Sequence, residues 1–496
     1  MAKSKPKSTK KSLLTVTLNP QLYPQFLHLL SPKSNPNSSH TLLFIFTFFL
    51  ASILCFVSIE SLHSRPSLSA ITHVPTYSPL VLASLSSVFQ DPGVENDDTV
   101  SLDTTSMVPL PPRTVVGTEF WKQPDGEGYR PCLHFSLKYR KRSVKIANEE
   151  KRFLVVVVSG GLVELRNQIV DAVVIARILE AALVLPILQG DESEFSEIFD
   201  VEHFRKTLKA DIRVVSSLPS THVVSWQSLK NHIPHNVPPF WIRARFFKKL
   251  NEKGSLVLTG LDSKLTKNLP PDLQKLRCKV AFHALKFARP VTELGNRIAR
   301  RMWIEGPYIA LHLSLEKDLW IKTGCSTGLG PDYDILISKE RESHPEFLTT
   351  SSNISCPLHV LQAARLLKES GAPANARVYI TGGDPFGGDR AILLFKSEFV
   401  NVVTKEMLAR DAELNPYRNR SIILTAIDYI VSLSSDVFLP SYDGHMVQAL
   451  QGHRAYVGHR KLVTMSTNYN GQPQPRGKRR DRDVTAFPLP ECMCKH

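Results

Sequence analysis

Several clusters of residues in this chain have the types and spacing to do chemistry. His312 closes an apolar run and is followed by Ser314 and by Glu316-Lys317-Asp318, so an imidazole, a hydroxyl and mixed charge share one short loop. Gly160-Gly161 separates an apolar run from an amphipathic one, where backbone amides can approach an anion and a helix N-terminus adds favourable potential. Glycine there can equally serve the turn alone, and a lone His beside an apolar strand is commonly a satisfied core residue. A second glycine cluster spans Gly382–Gly388, which can cradle a ligand or simply turn. Asp428 interrupts an apolar helical pattern (Ile427, Tyr429, Ile430), where an unpaired carboxylate is costly, so a hydrogen-bonding partner or a ligand is expected. Ser441-Tyr442-Asp443-Gly444-His445-Met446 offers hydroxyl and amide donors ahead of a helix. Neither GxGxxG nor GxxxxGK[ST] is present, which disfavours a nicotinamide enzyme or a nucleoside triphosphatase.

The elements that must position these groups repeat one unit. Phe153–Val158 is an unbroken apolar run of strand length; after Gly160-Gly161, Ile169, Val170, Val173, Val174, Ile178 and Leu179 recur at helical spacing, and Ala182–Ile187 reads as a second strand. Strand, tight turn, helix, strand is the unit of a parallel sheet buried on both faces. It returns with strands at 307–313, 377–381 and 435–439 and helices at 358–370, 422–433 and 443–452. Two α/β domains, over 113–300 and 301–496, facing a cleft are therefore expected, with ligands at the strand ends facing that cleft.

Ahead of them lie three segments of different character. Residues 1–40 carry six lysines and no acid, 41–59 form nineteen uncharged and largely apolar residues, and 60–112 are rich in Ser, Pro and Thr with a net charge of −5. As a helix the apolar stretch spans about 28 Å, the thickness of a bilayer core. With the basic residues all before it, the N-terminus is expected in the cytosol and the remainder in a lumen, as a single-pass type II protein with a flexible stem. A buried core helix and a cleaved signal peptide are the rival readings of this stretch. An oxidising lumen suits six cysteines beyond the span (132, 278, 325, 356, 492, 494), for which fifteen pairings are possible, and Asn353 and Asn419 stand in sequons. The net charge of +15 first suggests nucleic acid, yet no zinc-finger spacing, basic zipper or RNA-binding signature accompanies it, so no nucleic-acid partner is expected.

Blocks along nearly all of 120–496 resemble the plant O-fucosyltransferase family, Golgi glycosyltransferases that also include pectin rhamnosyltransferases. They include Trp121–Gly126, Tyr129–Cys132, Ser159–Ile187, Gly306–Gly324, Cys356–Gly388, Ala426–Lys461 and Pro490–Cys494. The resemblance implies a GT-B architecture of two Rossmann-like domains and inverting, metal-independent transfer of fucose from GDP-fucose, with no cofactor, to a hydroxyl of a wall polysaccharide or glycoprotein. Rhamnosyl transfer, or a catalytically impaired binding subunit, is the alternative. The family's His-Leu-Arg motif, whose guanidinium can hold phosphate oxygens, reads His312-Leu313-Ser314 here; Lys317 or Arg166 are candidates to compensate. The family's Leu-Asn-Gln after the glycine pair reads Leu162-Val163-Glu164, and its Gly-Asn-Met reads Gly444-His445-Met446. By the same resemblance Asp428 is expected near the nucleotide and Gly444-His445 beside the sugar nucleotide.

Overall fold

Phe153–Ser159 (β1) is buried at six consecutive positions, so both of its faces must be covered, and the structure supplies a layer on each side. The structure, a computed structural model, describes residues 119–495 apart from 125–128, 191–193, 223–232, 263, 267, 314–315, 349–355, 383–385, 411, 443, 459–460, 464, 468–472 and 476–491. The apolar stretch 41–59, the stem at 60–112 and the sequon at Asn353 lie outside the described residues. No helix among the described residues is long and apolar enough to cross a membrane.

β1 leads through the glycine turn into α1 (Leu162–Leu179), which is buried almost throughout. The strand expected at 182–187 is two short pieces, β2 (Ala182–Val184) and β3 (Ile187–Gln189), both pairing parallel with the same edge of β1. They are interrupted at Leu185-Pro186, where proline has no N–H to give the ladder. β4 (Val214–Val215) pairs with β2, and β5 (Ser255–Thr259) pairs parallel with the other edge of β1. Read in chain order the first strand lies inside, its successors run outward on one side, and the last returns to the other side. The crossovers thus diverge at the edge between β1 and β5.

The second sheet repeats this order. β6 (Tyr308–His312) pairs with β7 (Arg377–Thr381), β7 with β8 (Val402–Val403), and β9 (Val437–Pro440) returns to the free side of β6, all parallel. Its core runs from Ile309, Leu311 and Leu313 through Trp320, Leu366, Val378, Phe395 and Phe399 to Leu439. α2 (Arg289–Trp303) precedes β6, and α3 (Ser421–Ser434) precedes β9. These helices touch at Gly295, where a Cβ would come within 2.8 Å of Ile430, so only glycine permits that approach. Packing therefore joins α2 to the helix that precedes β9.

Three disulfides select one of the fifteen pairings: Cys132–Cys494, Cys278–Cys492 and Cys325–Cys356. The first two carry the C-terminal strand Met493–Lys495 back onto Tyr129–Pro131 in antiparallel register, so the tail belongs structurally with the first domain.

Candidate functional site

The second sheet changes direction between β6 and β9, and of the sequence-derived candidates His312, Gly382 and Ser441 gather at those strand ends. His312 ends β6 in register with Pro440 on one side and Thr381 on the other. The strand ends are stitched by backbone bonds from Ser441 N to His312 O (2.8 Å) and from Leu313 N to Thr381 O (3.1 Å). Gly382 follows with φ +125°, and a Cβ there would lie 2.2 Å from Leu313 O, so the loop cannot approach β6 with any other residue. Two buried polar atoms, His312 Nδ1 and Thr381 Oγ1, find no partner among the described residues. Burial pushes the His312 imidazole down to about 4, leaving it neutral at mildly acidic and higher pH. Ser314 lies outside the described residues.

At the first sheet the glycine turn is occupied differently. Gly160 has φ +102° and Gly161 caps α1. Glu164, in the first turn of α1, folds back over the pair: a Cβ on Gly161 would lie 2.9 Å from Glu164 Oε2. A carboxylate at a helix N-terminus is favourable, and here the chain's own anion stands where a phosphate was anticipated. Its other oxygen meets His445 Nδ1 at 3.3 Å. His445 opens α4 (His445–Tyr456), capped by Gly444, just after β9. The two glycine motifs, 281 residues apart between Glu164 and His445, thus meet across the domains.

A family model described as GDP-fucose protein O-fucosyltransferase matches residues 153–457. O-fucosyltransferase 37 of Arabidopsis thaliana is 58% identical over 439 residues, covering 79% of this chain and 78% of that protein. The chain belongs to the O-fucosyltransferase family. O-fucosyltransferase 20 of Arabidopsis thaliana is 48% identical, over 76% of this chain and 73% of that protein. Rhamnogalacturonan I rhamnosyltransferase 1 of the same plant is 33% identical, over 71% and 74%. Among solved structures, POFUT1 in complex with GDP-fucose aligns at 14% identity and a TM-score of 0.39, covering 64% of this chain and 98% of that one.

Against the O-fucosyltransferase pattern, three further residues have definite employment. Asp428 does not face the strand ends: Tyr379 Oη donates to its Oδ1 at 2.6 Å and Lys405 Nζ to its Oδ2 at 3.0 Å. Burial raises its pKa while Lys405 opposes the rise, and the three side chains fasten α3 to the middle of β7. Arg166 is buried at the seam between domains, donating to Leu285 O (3.1 Å) and Ala281 O (2.6 Å) beneath the rings of Phe287 and Tyr429. Lys317 pairs with Glu340 at 2.9 Å. Both candidates to replace the motif arginine are therefore engaged elsewhere. His453 also lies in the seam, bonded to Tyr429 Oη at 3.1 Å and pushed down to about 3 by burial and by Arg166. Asn419 is exposed, as a glycan acceptor must be. Among the described residues no group of three His, Cys, Asp or Glu could hold a metal ion.

Proposed function

We propose that this chain transfers fucose from GDP-fucose to a hydroxyl of a wall polysaccharide or glycoprotein, with inversion and without a resident metal or cofactor. Its setting is the Golgi lumen, behind the single N-terminal span of a type II protein, with a GT-B arrangement of its two sheets. Family membership supports the reaction class. The observation that carries the reading is the edge of the second sheet, where His312 Nδ1 and Thr381 Oγ1 are buried without partners among the described residues. A buried unsatisfied group costs about 1–3 kcal/mol, a cost that a bound sugar nucleotide relieves. His312, Leu313, Ser314 and Gly444 would line that donor site, while Gly160 and Gly161 are covered by Glu164.

The substitution at Ser314 favours a second reading, a relative that keeps the fold and binds without turning over. A serine hydroxyl cannot replace a guanidinium on the departing pyrophosphate, and losing one preorganised charged donor costs about 10²–10³ in rate. Full-length protein in detergent, incubated with GDP-fucose, decides between them. Measurable GDP release supports the enzyme, and Ser314→Arg is expected to raise kcat by about 10²-fold. A melting temperature raised by GDP and not by UDP identifies the donor class. Binding without release, in both the natural and the Ser314→Arg protein, leaves only the binding role.

A further inference from the structure

We propose that Glu164 takes the proton of the attacking hydroxyl and that His445 positions it, an assignment resting on the fucosyl-transfer reading above. In that reaction the acceptor oxygen bonds to C1 of fucose, and the C1–O bond to the β-phosphate breaks with its electron pair leaving on GDP. The hydroxyl proton must pass to a base. Asp171, Asp428 and Asp436 are spent inside the protein: Asp171 accepts from Lys264 N and Leu265 N, Asp428 from Tyr379 and Lys405, and Asp436 from Tyr308 N. Glu164 is half exposed, with one oxygen over Gly161 and the other turned to an imidazole from the opposite domain. A carboxylate oriented by a second group is the arrangement a general base requires.

A further observation falls near the same place. His445 begins four residues after Ser441, whose N–H bonds His312 O, and that edge holds Thr381 Oγ1, only 3% exposed and without a partner among the described residues.

The test needs no knowledge of the natural acceptor, because water can attack C1 and lose its proton in the same way. Full-length protein in detergent is given GDP-fucose, and GDP release is followed for the natural protein, Glu164→Gln, Glu164→Ala, His445→Asn and Glu316→Gln. Glu164→Gln is expected to lower kcat by about 10²–10³-fold, within the range for general-base catalysis, with the KM for GDP-fucose within about twofold. Sodium azide, an anion that attacks without a base, is expected to restore turnover to Glu164→Ala. His445→Asn is expected to lower kcat about tenfold at unchanged KM. Retained kcat in Glu164→Gln or loss confined to Glu316→Gln overturns the assignment. Failure of the underlying reading looks different: the natural protein then binds GDP-fucose without releasing GDP, or shows no melting shift with GDP or GDP-fucose.

Discussion

At the carboxyl end of β1 the turn Gly160-Gly161 is covered by Glu164 of its own helix, whereas at the ends of β6 and β7 two buried polar atoms stand without partners among the described residues. The strand order is the same in both sheets. One edge has satisfied its own potential with an internal carboxylate; the other has kept buried polar capacity open at a cost. Sharing a topology therefore does not imply sharing a task, and the difference lies in a few side chains at the strand ends.

The sharpest way to break this comparison is to add one methyl group at each glycine turn. Gly382→Ala puts a carbon 2.2 Å from Leu313 O and must displace the end of β6, so GDP affinity, measured by calorimetry, is expected to fall more than about 100-fold. Gly160→Ala belongs at the other end of the scale. Its φ of +102° strains an alanine by about 1–2 kcal/mol, and its Cβ would meet Glu164 Cβ at 3.0 Å. Denaturation should show the loss of stability, while GDP affinity stays within about twofold. Equal loss of binding in both variants would erase the distinction between the two edges.

Between these limits lies the seam. His453 has its imidazole depressed to about 3, while an unfolded chain takes up that proton near 6.5. Its contribution is thus fully present above pH 6.5 and is lost as pH falls toward 3, with on the order of 2 kcal/mol gone by pH 5. In His453→Gln the drop in stability between pH 7 and pH 5 should shrink by that amount in denaturant titrations. Smaller still, Thr381→Val removes the orphan hydroxyl at nearly constant shape. The free protein is expected to gain about 1 kcal/mol, and GDP binding to weaken about tenfold; unchanged affinity would show that this hydroxyl does not serve the ligand.

The strands at 153–159, 308–312 and 377–381 were legible because a continuous apolar run is what a sheet covered on both faces demands. Pro186 was present in the sequence, and its missing N–H explains the break in the second strand that an apolar pattern alone passed over. Asp428 was rightly marked as needing a partner, but only tertiary structure brings Tyr379, 49 residues upstream, and Lys405 against it. Arg166 resembled a spare cation; its burial beneath Tyr429 depends on where α3 packs, which no local pattern encodes. The pairing of Glu164 with His445 is of the same kind. The only sequence signal was that both positions depart from one family's pattern.

The tail secured by Cys492 and Cys494 has a consequence for the order of synthesis. The first domain's sequence leaves the ribosome early, yet two of its cysteines, Cys132 and Cys278, have partners 362 and 214 residues further on. Those two thiols have no native partners until Cys492 and Cys494 have been added. A chain stopped shortly before Cys492 would carry both sheets complete and still present two unpaired thiols, a mark by which a truncated product can be told from a finished one.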